Sequence, residues 1–195
     1  MFIFWPCSLL SLFHFIFMRI FRFHFSFLFW FILMFLYLVR HAWAEDRGDP
    51  RWSTDDVRPL TNDGSKRFAK MAKRLNAADM APSLLLTSPL VRCVQTAQIL
   101  ADNLKSRPEM KQIDALAPNS DLAQILEQSN TNGQDVAWVG HEPDMGEMCA
   151  QLMGWPEGWV RFAKGSVAAL RFPVAPPQAG QGVLYWMATA KLLDC

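Results

Sequence analysis

Leu36-Tyr37-Leu38-Val39-Arg40-His41-Ala42 is the stretch that decides the fold of this chain. Apolar residues that favour β-structure end here directly in a cation and an imidazole. A strand that is apolar on both faces is typical of a parallel sheet covered by helices, and ligands of such sheets bind beyond the carboxyl ends of the strands. We therefore predict a buried strand at residues 35–39 that delivers Arg40 and His41 to a ligand site.

Strand and helix patterns alternate along the rest of the chain, which indicates βαβ units, a mainly parallel sheet and helices on both of its faces. Further strands are predicted at residues 83–87, 111–114, 135–139, 166–172 and 183–188, the last two as an antiparallel pair. Helices are predicted after an N-cap at Thr61, over residues 90–104, over 121–128 and from 142 to about 153. Ser88-Pro89 is typical of an N-cap followed by a first-turn proline, which places Arg92 in the first turn of its helix.

The first 33 residues differ in composition from the rest, because they are rich in Phe and contain no Asp or Glu. Residues 1–18 also lack Lys and Arg and approach the length of a membrane span. A secretory signal fits poorly, since no basic region precedes the apolar run and no small-residue cleavage site follows it. Two interpretations stay open, a membrane anchor and a start codon assigned too far upstream. In both, we predict that residues 1–33 lie outside the fold and that one domain spans residues 34–195.

The charge of this domain argues against a nucleic-acid partner. Leaving out Arg19 and Arg22 of the leader, the 19 basic residues become 17 against 18 acidic ones. A protein that binds nucleic acid through bulk charge would be distinctly basic. Four of the tryptophans offer flat rings that could stack on bases, namely Trp138, Trp155, Trp159 and Trp186. Basic residues are not interleaved with them, so we expect these rings to pack in the core or at its edge.

The cysteines indicate a reducing compartment. Cys7, Cys93, Cys149 and Cys195 show neither a C-x-x-C spacing nor the pattern of a disulfide framework. Neither Cys93 nor Cys149 is followed six residues later by Arg, which excludes the loop of cysteine-based phosphatases. We therefore expect a cytoplasmic protein, or a membrane-anchored one if residues 1–33 form a real anchor.

Three predicted strands are followed by residues that can donate hydrogen bonds to an anion. Arg40 and His41 follow the first, Ser88 and then Arg92 follow the second, and His141 follows the third. Because the carboxyl ends of parallel strands meet at one edge of the sheet, two arginines and two histidines should form a cationic pocket there. The first turn of the helix that carries Arg92 adds backbone N–H groups and the positive end of a dipole. Phosphate is the small polyanion that suits these donors best.

A metal site is not expected in this pocket. Histidine is a common zinc ligand, but residues 34–195 contain only two histidines, and the neighbouring arginines would repel a divalent cation. We predict neither a metal nor another cofactor.

Four motifs of the chain resemble the histidine phosphatase superfamily, and within it the small SixA-type phosphohistidine phosphatases. They are Leu38-Val39-Arg40-His41-Ala42, Arg58-Pro59-Leu60-Thr61 with Gly64, Ser88-Pro89-Leu90-Val91-Arg92-Cys93-Val94-Gln95-Thr96-Ala97, and Val139-Gly140-His141. The resemblance covers essentially the whole chain from Met34. It implies a three-layer α/β/α sandwich with a mainly parallel central sheet, as in phosphoglycerate mutase.

The same resemblance implies that His41 is phosphorylated during turnover and that Arg40, Arg92 and His141 complete the phosphate pocket. Ala42 departs from the superfamily pattern, which has Gly at this position, but a small alanine still allows close packing. A neutral imidazole of His41 would attack phosphorus, and water would hydrolyse the resulting phosphohistidine. We expect a neighbouring acceptor to hold His41 in one tautomer.

The general acid is the least defined part of the predicted site. Larger relatives carry a catalytic Glu in an insertion between the second Arg and the second His, but the interval is short here and Glu109 is its best-placed carboxylate only by default. Asp55, three residues before Arg58, is our first choice, and a solvated loop charge is the alternative. A site with little acid catalysis suits phosphohistidine, because imidazole leaves far more readily than an alkoxide.

The short interval leaves no room for a lid domain, so we expect an open pocket. An open pocket fits a protein partner that presents phosphohistidine, such as a phosphotransfer domain in a signalling relay. Two alternatives stay open: a phosphomonoesterase of small metabolites with a carboxylic acid donor, and a module that binds a phosphorylated ligand without catalysis.

Overall fold

The computed structural model of this protein describes residues 33–173 and 175–195. The predictions made for residues 1–32 of the leader lie outside this described part. Within it, six strands form one sheet in the order β3-β2-β4-β1-β5-β6. The strands are β1 (Met34–Arg40), β2 (Leu84–Thr87), β3 (Glu109–Gln112), β4 (Val136–Gly140), β5 (Val167–Phe172) and β6 (Val183–Ala188).

The sheet is mainly parallel, as predicted. Strands β3, β2, β4 and β1 are paired in parallel, whereas β5 is antiparallel to β1 and β6 is antiparallel to β5. The predicted antiparallel pair therefore closes one side of the sheet. No helix of the described residues is long and apolar enough to cross a membrane.

Helices cover both faces of the sheet and complete a three-layer sandwich. They are α1 (Asn62–Ala77), α2 (Val91–Asn103), α3 (Leu122–Gln128) and α4 (Asp144–Leu152), with short 3-10 helices at Asp55–Val57 and Asp114–Leu116. The apolar faces of α1 and α2 pack on one side of the sheet, through residues such as Phe68 and Leu100. The apolar faces of α3 and α4 pack on the other side, through Ile125 and Met148. The predicted α/β/α fold class is confirmed.

The helix α1 begins directly after Thr61, as predicted from the sequence. The Thr61 side chain accepts a hydrogen bond from the backbone N–H of Gly64 at 2.9 Å, which confirms the predicted N-cap. A Cβ atom at residue 64 would collide with the carbonyl of Trp43, so this position requires glycine. Thr61 also donates its backbone N–H to the Trp43 carbonyl at 2.9 Å, which ties the helix start to the loop after β1.

Other predicted boundaries are wrong in ways that bear on the site. Ser88 does not cap α2: Leu90 occupies the N-cap position, and the Ser88 hydroxyl lies instead against the ring of His141. The helix predicted from residue 142 begins at Asp144, which leaves Glu142 in the turn after β4. The strand predicted at 111–114 lies at Glu109–Gln112, an exposed edge strand whose side chains give little apolar pattern.

The tryptophans follow the expected packing only in part. Trp138 is fully buried and donates its indole N–H to Ser129 at 2.8 Å, and Trp186 packs at the edge of the core. Trp155 and Trp159 are 58% and 49% exposed, against the expectation of core or edge packing. Both lie in the turn-rich segment between α4 and β5, where no periodic pattern could reveal their exposure.

Candidate active site

The register of the sheet brings the predicted site residues to one edge. Arg40, the last residue of β1, is paired with Gly140, the last residue of β4. The chain then continues into His41, whose backbone N–H donates to the Gly140 carbonyl at 3.0 Å. Ser88 leaves β2 at the same level and donates its backbone N–H to the carbonyl of Val139 at 3.0 Å. The three strand ends therefore meet, as the order of the motifs predicted.

A cavity of about 450 Å³ opens at this edge of the sheet. Arg40, His41, Arg92 and His141 all line it. The rim carries charges of both signs and adds Glu45, Asp46, Arg47, Arg58, Pro118, Asn119, Glu142, Pro143, Asp144 and Lys164. The structure thus brings the four predicted pocket residues together around one concave space.

His41 is held in a single tautomer. Its Nδ1 lies 2.7 Å from the carbonyl oxygen of Ala42, and because a carbonyl only accepts, Nδ1 carries the proton. The lone pair is then on Nε2. Burial lowers the pKa of His41 to about 3; the Ala42 hydrogen bond opposes this shift, and the positive charges of Arg92 and Arg40 add to it. The ring is therefore neutral at pH 7, which is the form a nucleophile needs.

His141 is also held neutral, in the opposite tautomer. An Arg92 guanidinium N–H donates to its Nδ1 at 3.3 Å, so the ring proton is on Nε2, which faces the Ser88 hydroxyl at 2.9 Å. Burial and the positive charge of Arg92 lower the pKa of His141 to about 4. The two rings lie side by side, with centroids 5.3 Å apart.

Both imidazoles are expected to stay neutral well below the ordinary pKa of histidine, about 6.5. We predict that ¹⁵N NMR signals of His41 and His141, assigned with single variants, keep the neutral pattern down to about pH 5. Because the unfolded chain would take up protons that the folded chain does not, the free energy of unfolding should fall as the pH drops from about 6.5 toward 4. Titration of either ring near pH 6.5 would contradict this electrostatic picture.

The two arginines of the pocket each keep a donor without an acceptor. Arg40 donates from one guanidinium nitrogen to the Phe162 carbonyl at 2.6 Å, and Arg92 donates to the Asp55 carbonyl at 2.8 Å. The Nε atoms of both arginines are buried and have no hydrogen-bond partner among the described residues. A buried N–H without an acceptor is costly, and a bound oxyanion would satisfy it.

Asp55 lies among arginines rather than in a setting that suits a proton donor. Its carboxylate contacts Arg58 at 2.9 Å, Arg92 at 3.0 Å and Arg47 at 3.4 Å. Partial burial raises its pKa, but the Arg58 hydrogen bond and the three positive charges outweigh this and hold the pKa below its ordinary value. These contacts argue against the acid role that we predicted and suit an anion that orients Arg92.

We predict that Asp55→Asn lowers kcat/KM by up to about 100-fold, because Arg92 loses the partner that aims its guanidinium. The loss should be the same for an aryl and an alkyl phosphate, since orienting Arg92 does not involve the leaving group. The matched control is Asp56→Asn, because Asp56 is the exposed neighbour and lines no part of the cavity. A loss confined to the alkyl phosphate would instead restore Asp55 as the acid.

Glu109, the other carboxylate considered from the sequence, lies at the amino end of its strand, opposite to the end where the cavity opens. It is the first residue of β3 and pairs with Leu84, the first residue of β2. The cavity is at the carboxyl ends of the parallel strands, so Glu109 cannot reach it.

Of the cavity residues that the sequence analysis did not assign to the site, Arg58 and Glu142 bear most directly on its chemistry. Arg58 donates to the Glu45 carbonyl at 2.7 Å and to Asp55, and its side chain is only 11% exposed. The Arg58-Pro59-Leu60-Thr61 motif was the available signal for it. Glu142 lines the cavity directly after His141, and we could have found it by extending the Gly140-His141 motif by one residue.

Among the described residues, no group of three or more His, Cys, Asp or Glu side chains could hold a metal ion. Three cysteines of this part, Cys93, Cys149 and Cys195, have free thiols.

Comparison with known proteins agrees with this fold. The sequence model described as "Histidine phosphatase superfamily (branch 1)" matches residues 36–117. An uncharacterized protein of Picosynechococcus sp. is 35% identical over 152 residues, which cover 75% of this chain and 90% of that protein. The phosphohistidine phosphatase SixA of Escherichia coli is 26% identical over 157 residues, which cover 78% of this chain and 92% of SixA.

A solved structure of the protein histidine phosphatase SixA, complexed with tungstate, superposes with a TM-score of 0.70. It is 25% identical to this chain, and the match covers 82% of this chain and 99% of that one. The resemblance that we identified from the motifs is therefore confirmed.

Proposed function

This chain belongs to the histidine phosphatase superfamily, and we propose that it is a phosphohistidine phosphatase that acts on a phosphoprotein through a covalent phosphohistidine on His41. Membership itself indicates a phosphatase with a histidine nucleophile. One observation carries the finer proposal: a neutral His41 with its lone pair on Nε2 lies in a cavity with two arginines whose Nε groups have no acceptor among the described residues.

In the first proposed step, Nε2 of His41 attacks the phosphorus atom in line with the leaving group. A P–N bond to His41 forms and the bond from phosphorus to the leaving atom breaks. Water then attacks the phosphohistidine and frees His41 and inorganic phosphate. The Ala42 carbonyl holds the ring orientation through both steps, because its hydrogen bond to Nδ1 does not change.

Arg40 and Arg92 are proposed to stabilise charge on the equatorial oxygens of the phosphoryl group. Guanidinium groups suit this role, since they present several N–H donors in a fixed plane. Arg92 is 2% exposed, so its interactions with an oxyanion are little screened by water. His141, which accepts from Arg92 at Nδ1, and Arg58 at the rim complete the proposed phosphate site.

The shape of the cavity supports a protein substrate. The segment between Arg92 and His141 contributes Pro118 and Asn119 to the rim of the cavity. This segment forms α2, β3, a short 3-10 helix and α3 rather than a lid domain. A phosphohistidine side chain on a protein surface could therefore approach from solvent. SixA, with which this chain aligns over most of its length, is described as a phosphohistidine phosphatase.

The test compares a phosphohistidine-bearing phosphotransfer domain with a phosphoserine protein and a small alkyl phosphate as substrates. We expect the highest kcat/KM for the phosphohistidine protein, with no dependence on added metal and no loss in EDTA. A higher kcat/KM for the small phosphate would favour the metabolite phosphatase. Tight binding of the phosphoprotein without phosphate release would favour a non-catalytic module.

A cytoplasmic location for residues 34–195 is part of the proposal, and the free thiols of Cys93, Cys149 and Cys195 support it. Mass spectrometry of the native N-terminus tests whether residues 1–33 are present. Detection of a chain that starts at or near residue 34 would support the start-codon interpretation, and detection of the full leader in membranes would support the anchor.

A further inference from the structure

Glu142 is a carboxyl group of the cavity to which neither the phosphate site nor the core assigns a role. It follows His141 directly and lines the same cavity as Arg40 and His41. One oxygen, Oε1, accepts a long hydrogen bond of 3.5 Å from the backbone N–H of Phe162. The other, Oε2, is buried and has no hydrogen-bond partner among the described residues.

The surroundings of Glu142 contrast with those of Asp55. Three arginines pair with Asp55, whereas no cation of the described residues lies within ion-pair distance of Glu142. The ionisable groups that face it are Arg40 from β1 and Asp144 and Cys149 from α4, and Trp159 contacts it from the segment before β5. Burial raises the pKa of Glu142, and Asp144 adds to this, while the Phe162 hydrogen bond, Arg40 and Trp159 oppose it. The pKa of Glu142 is therefore raised and that of Asp55 is lowered, and of these two carboxyls only Glu142 lines the cavity.

The position of Phe162 links Glu142 to the phosphate site. Glu142 accepts from the backbone N–H of Phe162, and Arg40 donates to the carbonyl of the same residue. Phe162 itself is fully buried, so this backbone segment is a fixed support for both side chains.

We propose that Glu142 is the group that donates a proton to the leaving atom and then accepts a proton from the attacking water. This inference rests on the proposed function, because it needs His41 as the nucleophile. It also widens the substrate class to phosphate monoesters of alcohols, whose alkoxide leaving groups depend on a proton donor.

Glu142 supplies the proton that the first step needs and takes up the proton that the second step releases. In the first step, the P–N bond to His41 forms, the bond from phosphorus to the leaving atom breaks, and the Glu142 proton moves to that atom. In the second step, the Glu142 carboxylate takes a proton from water as the oxygen of that water bonds to phosphorus and the P–N bond breaks. Phosphate leaves, and Glu142 is again protonated.

The test measures Glu142→Gln, which keeps the size of the side chain and an oxygen for the Phe162 N–H, on substrates that differ in the leaving group. We expect kcat/KM to fall roughly 10²- to 10⁴-fold for an alkyl phosphate. For p-nitrophenyl phosphate and for a phosphohistidine protein the loss should be much smaller, because those leaving groups depart without a donor. Rapid mixing of Glu142→Gln with p-nitrophenyl phosphate should give a burst of p-nitrophenolate, since hydrolysis of the phosphoenzyme has lost its base.

Glu147→Gln is the matched control, because Glu147 is exposed on α4 and does not line the cavity. Glu142→Asp should recover part of the activity on the alkyl phosphate. An equal loss on every substrate would make Glu142 a positioning residue, and no loss would remove it from the reaction. Either result, or a wild type that turns over phosphohistidine but no alkyl phosphate, would overturn this inference and leave the proposed function standing. If the wild type hydrolyses none of these substrates, the proposed function fails instead.

Discussion

Replacing His41 with alanine is expected to lower kcat/KM by roughly 10⁴- to 10⁶-fold, because removing a nucleophile costs the whole covalent route. The residual rate would come from the arginines, which still bind and polarise the phosphoryl group. The measurement is a steady-state assay on a phosphohistidine protein, with thermal unfolding of each variant as a check of the fold.

His41→Asn separates the chemistry of this ring from its packing. The Asn amide can still donate to the Ala42 carbonyl, as Nδ1 does at 2.7 Å, but it has no atom in the place of Nε2. We expect His41→Asn to be as inactive as His41→Ala and to be folded. Retention of a tenth or more of the wild-type rate in either folded variant would show that another group is the nucleophile.

Arg92→Ala is expected to give the second-largest loss, about 10²- to 10³-fold in kcat/KM. Arg92 is buried, contacts both Asp55 and His141, and carries one of the two Nε groups that have no acceptor among the described residues. Its loss removes a donor to the transition state and leaves the Asp55 carboxylate without one of its cations. Arg92→Lys should fall between wild type and Arg92→Ala, because an ammonium keeps the charge but not the planar fork.

The control for Arg92→Ala is Arg74→Ala, because Arg74 is an exposed arginine of α1 and lies away from the cavity. It should leave kcat/KM within twofold of wild type. A loss of less than tenfold in folded Arg92→Ala would contradict the place given to Arg92 in the phosphate site.

The fold could be predicted from the sequence because its buried parts carry strong local signals. Strands β1, β2 and β4 are short apolar runs that are buried on both faces, and each prediction agrees with the structure to within one residue at either end. The carboxyl ends of these strands also place Arg40, His41, Arg92 and His141, since parallel strands must end at one edge. The exposed edge strand β3 has no such pattern, and its predicted position was wrong by two residues.

The sequence could not reveal the partners of the site residues. The acceptor that fixes the His41 tautomer is the carbonyl of the next residue, and carbonyls are the same at every position. The roles of Asp55 and Glu142 depend on which cations lie nearby. Asp55 meets Arg47 and Arg58 of its own loop and Arg92 of α2, whereas no cation of the described residues lies within ion-pair distance of Glu142. Spacing along the chain does not reveal the contact between Asp55 and Arg92, which are 37 residues apart.

The most direct test of the central claim is to find where phosphate becomes bound during turnover. The enzyme is mixed with a ³²P-labelled phosphohistidine protein, quenched in base within milliseconds, and digested, and the labelled peptide is mapped by mass spectrometry. We predict acid-labile phosphate on the peptide that contains His41, bound to Nε2 rather than Nδ1 by NMR, and none in His41→Asn. Phosphate on any other residue, or turnover by the wild type with no covalent phosphate at any quench time, would contradict the account.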